Sequence, residues 1–166
     1  MARRGTLREK ICLIIVIWAV SIALSLLFAA NMRGGNLLGL TLIDIDGKQV
    51  RLDTLAEEKP LLLYFWATWC KPCRKTQPKV ADLAKKYKDR VTVVGINVGG
   101  VDSPKDIKKY ISRHRITYTM LIDHTDEVVK AYSVSAIPVV ILLDKTGNIL
   151  FRDNEPPANL EKFLPG

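Results

Sequence analysis

Leu61-Leu62-Leu63-Tyr64-Phe65-Trp66-Ala67-Thr68-Trp69-Cys70-Lys71-Pro72-Cys73 is the stretch that decides how this chain is read. Leu61 to Trp66 is an unbroken apolar run between Pro60 and the Ala67-Thr68 pair, which suits a central strand buried on both faces. From Lys71 to Lys88 the period changes. Val80, Leu83, Ala84 and Tyr87 recur at three- and four-residue steps, and lysines fill the other face, as in an amphipathic helix. Pro78 falls inside that helix and is expected to kink it. The two cysteines therefore sit where a buried strand gives way to a helix. The first turn of a helix offers free backbone N–H groups and the positive end of the macrodipole, and both favour a thiolate over a thiol. Cysteines so placed have pKa values lowered to roughly 3.5–7.5, and the thiolate is the nucleophile of disulfide exchange. Cys70 is expected to be the exposed attacker. Cys73, one turn later and more buried, is expected to resolve the mixed disulfide. Pro72 suits a helix start because its missing N–H is not needed there, and Lys71 adds a positive charge.

Two other readings of the pair compete. Half of a zinc site needs a second pair of ligands at close spacing, but His114 and His124 fall in unrelated elements and read as surface or structural residues. A purely structural disulfide across so short a loop constrains the unfolded chain little. No metal site is expected.

Working outward, Thr41 to Leu52 reads as two short strands around an Asp46-Gly47 turn. Val91 to Val98 is a second buried strand. Ser103 caps a helix whose first turn holds Pro104 and whose apolar positions are Ile107, Tyr110 and Ile111. Thr117 to Ile122 reads as a strand and Asp126 to Tyr132 as a short helix. Val139 to Leu143 and Asn148 to Phe151 form a hairpin around Asp144-Lys145-Thr146-Gly147. Pro156 and Pro157 precede a short final segment. Strands alternating with helices predict an α/β sandwich, and the final hairpin makes its sheet mixed.

The amino-terminal region is different. Residues 11–30 carry no charged side chain, and as a helix they span about 30 Å, the thickness of a bilayer's hydrocarbon core. They read as a transmembrane anchor in contact with membrane lipid, with a cleaved signal peptide as the competing reading. Arg3, Arg4, Arg8 and Lys10 precede the segment against Glu9 alone, which puts residues 1–10 in the cytoplasm and the rest of the chain on the far side. Residues 31–40 are glycine-rich and read as a linker, leaving 41–166 as the folded domain. Cys12 lies within the apolar segment and reads as a small hydrophobe. The formal charge of +8 does not suggest nucleic acid, because the lysines are spread over amphipathic stretches rather than clustered with aromatics.

Phe65 to Cys73 resembles the active-site signature of thioredoxin-fold proteins, and more narrowly that of the membrane-anchored TlpA/ResA/DsbE-like group. The Lys59-to-Trp69 stretch is also similar to the ScsD-like oxidoreductases. The likeness runs from about Thr41 to Phe151, and its second landmark is Ser135-Ala136-Ile137-Pro138 before a strand. The helix and strand at roughly 103–122 resemble an insertion of the same group. The resemblance implies a thioredoxin-like three-layer α/β/α sandwich with a central mixed β-sheet, preceded by one transmembrane helix. It implies that Pro138 is cis and faces the cysteines, that the backbone of Ile137 pairs with an extended substrate segment, and that Trp69 belongs to an apolar rim receiving substrates. Trp66 reads as core. The activity implied is extracytoplasmic exchange of disulfides with protein substrates, without a cofactor. A reductant of the cytochrome c maturation or disulfide-repair type, fed by a transmembrane electron donor in a bacterial cytoplasmic membrane, is preferred to a disulfide-donating oxidant. A copper-handling module would want a third soft ligand near the pair, and a peroxide-reducing enzyme would want threonine where Ala67 stands. Two departures matter. The buried aspartate of thioredoxins, six residues before the first cysteine, is replaced by Tyr64, and the glutamate that ResA-like proteins carry three residues after the second cysteine is replaced by Thr76. Proton transfer from Cys73 is then left to water, or to the helix dipole and Lys71; Asp44, Asp46 and Glu57 are candidate acceptors by nearness in sequence only, and none is preferred. The short C-terminal segment is expected to leave one face of the sheet thinly covered.

Overall fold

The computed structural model describes Trp18 and residues 37–164. The chain divides into two units, Met1–Asn36 and Leu37–Gly166. Of the first, only Trp18 is described; it is helical and exposed. The segment at 11–30 read as a transmembrane anchor, Cys12 and the stretch at 1–10 read as cytoplasmic thus lie outside the described residues, Trp18 excepted. Among the described residues no helix is long and apolar enough to cross a membrane.

The second unit begins inside the stretch read as a linker. Leu37–Gly39 forms a 3-10 turn, and Leu38 is buried in the core. Then follow β1 (Thr41–Asp44), β2 (Gln49–Arg51), α1 (Leu52–Ala56), β3 (Leu61–Trp66), α2 (Cys73–Lys86), β4 (Thr92–Asn97), α3 (Pro104–His114), β5 (Thr119–Ile122), α4 (Glu127–Ala131), β6 (Val139–Leu143), β7 (Ile149–Asp153) and a second 3-10 turn, Leu160–Phe163. The seven strands form one sheet in the order β2-β1-β5-β4-β3-β6-β7. β3, β4 and β5 are parallel, while β1, β2, β6 and β7 add antiparallel pairs at the two edges, so the sheet is mixed as the hairpin required.

Alternation along β3 builds the layers. Leu62, Tyr64 and Trp66 face one cluster, with Val80 and Leu83 of α2 and Ile107 and Tyr110 of α3. Leu61, Leu63 and Phe65 face the other, with Leu52 and Ala56 of α1 and Val128 of α4. All six residues of β3 are buried, because helices cover both faces of the sheet at this strand. The result is a three-layer α/β/α sandwich. Gly95, opposite Tyr64 in the β3–β4 register, belongs to this packing: a Cβ there would lie 2.3 Å from the sulfur of Met120.

Two local features decide where loops go. Ser103 accepts the N–H of Asp106 and caps α3, with Pro104 in its first turn. In the β6–β7 turn the Asp144 carboxylate accepts from the Thr146 and Asn148 N–H groups. Burial works against that charge, but the hydrogen bonds from Asn148 and Thr146 outweigh it and hold the carboxyl at about 2.

Three expectations change. α1 was not legible, since five residues are too few to show a period. α2 begins at Cys73 rather than at Cys70 or Lys71, and it runs on through Pro78. The C-terminal segment is short, yet Leu160 is fully buried in the α2-side cluster and Phe163 meets Phe151 with ring centroids 5.3 Å apart. That face is therefore sealed by the second 3-10 turn. Leu160→Ala should lower the unfolding free energy in urea by about 2–5 kcal/mol, the usual cost of truncating a buried leucine. A loss under about 1 kcal/mol would mean that the turn does not close the core.

Candidate active site

The site stands at the carboxyl end of β3. Trp66 is the last strand residue, and the chain turns at once: the Cys70 N–H donates to the Ala67 carbonyl at 3.2 Å. Cys70 and Cys73 are joined by a disulfide, with Cα atoms 5.3 Å apart. The N–H of Cys73, the first residue of α2, points at the sulfur of Cys70 from 3.2 Å. Pro72 is the N-cap and already has helical angles (φ −62°, ψ −37°), so the helix starts without an unsatisfied donor at that position. Cys70 is thus not a residue of the helix. It lies in the turn ahead of it, where the helix end still reaches its sulfur. The expected contrast in exposure between the two cysteines is also revised. In the disulfide form Cys70 is 3% exposed and Cys73 0%. What covers Cys70 includes the Ile137 carbonyl oxygen, 3.8 Å from its sulfur.

Ile137 and Pro138 arrive from across the sheet. In the antiparallel β3–β6 pairing Phe65 lies opposite Val139. Pro138 therefore enters β6 at the very end of β3, beside the cysteine turn, and the Ile137–Pro138 bond is cis. Pro138 is buried and Ile137 half-buried. Two open grooves flank this junction. One, of about 500 Å³, is mainly apolar and is lined by Trp69, Val98, Val129, Val134 and Ile137 among others. Trp69 is 56% exposed at its rim. The other, of about 450 Å³, has Lys71, Lys75, Thr76, Pro138, Asn154 and Glu155 in its walls. Lys71 and Pro72 are exposed there. Trp66 is fully buried, its ring 4.6 Å from that of Tyr110.

Three side chains around the site were not singled out from sequence. Asp102 is nearly buried. One carboxylate oxygen accepts the Thr68 N–H and the Asn97 Nδ2 group, each at 2.7 Å, and the other accepts the Thr68 hydroxyl. It ties the residue before Trp69 to the end of β4. Its only sequence signal was an acid directly before the Ser103 cap. Asp123, at the end of β5, accepts the Val129 N–H at 2.9 Å and fixes the helix that walls the apolar groove; burial raises its carboxyl above the usual carboxylate range. Glu155, in the segment after β7, accepts from the Thr76 hydroxyl at 3.2 Å and from Lys79 at 2.9 Å. Nothing in the sequence connects it to the cysteines.

Tyr64 occupies the place of the missing aspartate, and its hydroxyl donates to the Cys73 carbonyl at 2.9 Å. Burial, helped by Tyr118, Tyr110 and the charge of Glu155, pushes that hydroxyl well above the usual phenol range. Tyr64 is therefore a fixed donor at neutral pH, not a base. Asp44, Asp46 and Glu57 are not at the site. β1 is separated from β3 by β5 and β4; Asp44 binds its own turn, Asp46 pairs with Lys108, and Glu57 is exposed after α1. His114 is exposed against the Tyr110 ring, and His124 is exposed elsewhere. Among the described residues no three His, Cys, Asp or Glu side chains converge.

A disulfide at a helix start, packed against a cis-proline loop on a mixed sheet between helical layers, defines a thioredoxin-fold thiol–disulfide oxidoreductase. Residues 34–152 match the model of the AhpC/TSA family, and the chain belongs to that family. Within it, the chain is 37% identical over 110 residues to the thiol-disulfide oxidoreductase ResA of Geobacillus thermodenitrificans, covering 65% of this chain and 61% of that protein. It is 30% identical over 124 residues to ResA of Bacillus thuringiensis, covering 73% and 70%. Among solved structures, the thioredoxin domain of a thiol-disulfide oxidoreductase from Bacteroides vulgatus superposes with a TM-score of 0.69 at 26% identity, covering 80% of this chain and 97% of that one. These likenesses place the chain in the TlpA/ResA/DsbE-like group.

Asp102→Ala would leave the Thr68 N–H and the buried Asn97 amide without their acceptor. Urea unfolding of the oxidised chain should show a loss of about 1–3 kcal/mol, with faster hydrogen exchange at the Cys70 amide. Unchanged exchange at Cys70 would show that Asp102 does not hold the turn.

Proposed function

We propose that this chain reduces disulfides in other proteins on the extracytoplasmic side of a bacterial cytoplasmic membrane, held there by residues 11–30. The observation that carries the reading is the helix-terminal N–H aimed at the Cys70 sulfur, with the Ile137 carbonyl also against that sulfur. Once the pair is reduced, that N–H and the end of α2 stabilise a Cys70 thiolate. An extended client segment pairs with the backbone at Ile137, a local form of strand addition, while its side chains use the apolar groove beside Trp69.

The Cys70 thiolate attacks one sulfur of the client disulfide. A Cys70–client bond forms, the client's own S–S bond breaks, and its leaving thiolate takes a proton from water. Cys73 then loses its proton and attacks Cys70. The Cys70–Cys73 bond forms and the second client thiol departs. Two electrons have passed to the client, and a transmembrane dithiol donor must return them. Neither cofactor nor metal takes part. Relatives named thiol-disulfide oxidoreductase ResA support disulfide exchange, and the charge asymmetry around residues 11–30 supports the membrane-side role.

Cys70→Ser should reduce insulin-disulfide reduction at least 100-fold, and Cys73→Ala should accumulate mixed disulfides with clients. Full activity of the Cys70→Ser variant would end the proposal. The reduction potential of the pair decides direction. A value near −270 mV, as in thioredoxin, fits a reductant, whereas one near −120 mV, as in DsbA, would make the chain a disulfide donor.

A further inference from the structure

Cys73 is fully buried, yet resolving a mixed disulfide requires its thiol to lose a proton. The polar side chains around the turn and the start of α2 differ sharply in what they offer. Tyr64 already donates its proton to the Cys73 carbonyl, and burial keeps it protonated. Asp102 is occupied by Thr68 and Asn97 on the side of the turn facing α3. Thr76 lies three residues along α2 from Cys73, on the same helical face, and is 1% exposed. Its hydroxyl is paired with Glu155, whose side chain is 47% exposed and lines the groove that also holds Lys71 and Pro138. From Cys73 through Thr76 to Glu155, burial falls from complete to about half.

We propose that Glu155, acting through the Thr76 hydroxyl, is the proton acceptor for Cys73 in the resolving step. Glu155 is a positioning and relay residue, since it does not touch the reacting sulfur. This inference rests on the disulfide-exchange reading above. In the step, the Cys73 thiol proton passes to the Thr76 oxygen as the Thr76 proton passes to the Glu155 carboxylate. The Cys73 thiolate attacks the Cys70 sulfur, the S–S bond between Cys70 and Cys73 forms, and the bond to the client breaks. The client thiolate is then protonated from solvent, and Glu155 returns its proton to the open groove. Lys79 donates to the other Glu155 carboxylate oxygen at 2.9 Å, so the oxygen facing Thr76 is left to receive the proton.

The test uses the full chain in detergent micelles with Cys12→Ser, so that the pair supplies the only thiols. The reduced protein is mixed with dithiobis-nitrobenzoate in a stopped-flow instrument. One nitrothiobenzoate is released when Cys70 attacks and a second when Cys73 resolves, so the two phases are read separately across pH. In Glu155→Gln the second phase should slow about 10-fold or more at neutral pH and should recover as pH rises and hydroxide takes over the proton. The first phase should not change. Thr76→Val should reproduce that profile, Thr76→Ser should restore the parent one, and combining Thr76→Val with Glu155→Gln should add nothing. A second phase with the same pH profile in the parent and in both Glu155→Gln and Thr76→Val overturns the relay while leaving disulfide exchange intact. Absence of the first phase in the parent chain would instead overturn the exchange reading itself.

Discussion

The contact on which the rest of this site depends is between one backbone N–H and one sulfur: Cys73 N–H against Cys70, at 3.2 Å. A helix can aim its first free donor at a sulfur only if the chain leaves a rigid strand and begins the helix within a few residues. β3 supplies the rigidity, because both of its faces are packed and it pairs along its length with β4 and β6. Pro72 supplies the start, since its ring sets the helical φ and it has no N–H to leave unpaired. Tyr64 and Asp102 then fix the turn from two directions, the first through the Cys73 carbonyl and the second through Thr68. An unpaired hydrogen-bonding group in such a setting would cost about 1–3 kcal/mol, so each of these polar contacts holds the geometry more firmly than its small net energy suggests.

The register of β6 on β3 makes the second half of the site. Pairing Phe65 with Val139 leaves Ile137 and Pro138 just past the end of the central strand, with no freedom to sit elsewhere. β6 is buried along its whole length, so a slip of one residue would interchange the side chains packed in the two core layers, and the packing of both layers that sets the register also locates the proline. The same junction separates two environments. On one side the walls beside Trp69 are mainly apolar; on the other, lysines and Glu155 keep charge within reach of the helix that carries Cys73.

How much of this could be read in advance follows from how local each signal is. β3 and the period of α2 were visible because each is long and strongly patterned. The Ser103-Pro104 cap and the Asp144 turn were visible because their chemistry is contained in four or five residues. The position of Pro138 was legible only through resemblance, since register is a property of two strands. α1 and the two 3-10 turns are shorter than any period. Asp102 and Glu155 were hidden for another reason. Each acts on a residue 34 or 79 positions away in the chain, at Thr68 and Thr76. Nearness in sequence pointed instead to Asp44, Asp46 and Glu57, which the order of the strands carries to the far edge of the sheet or leaves in solvent.

The replacement of a glutamate by Thr76 then has a physical reading. A carboxylate rooted at this position would start where Thr76 is 1% exposed, and burying a charge there is costly unless partners meet it. Threonine puts a neutral hydroxyl in the buried place. The carboxylate comes from another part of the chain, half in water and paired with Lys79, where it is far less buried than Thr76. Such a division separates the group that sits near sulfur from the group that stores the proton. It also ties the chemistry of Cys73 to the segment after β7, which is held close by Leu160 in the core and by Phe163 against Phe151. The short C-terminal stretch thereby closes one face of the sheet and sets the distance over which the proton must move.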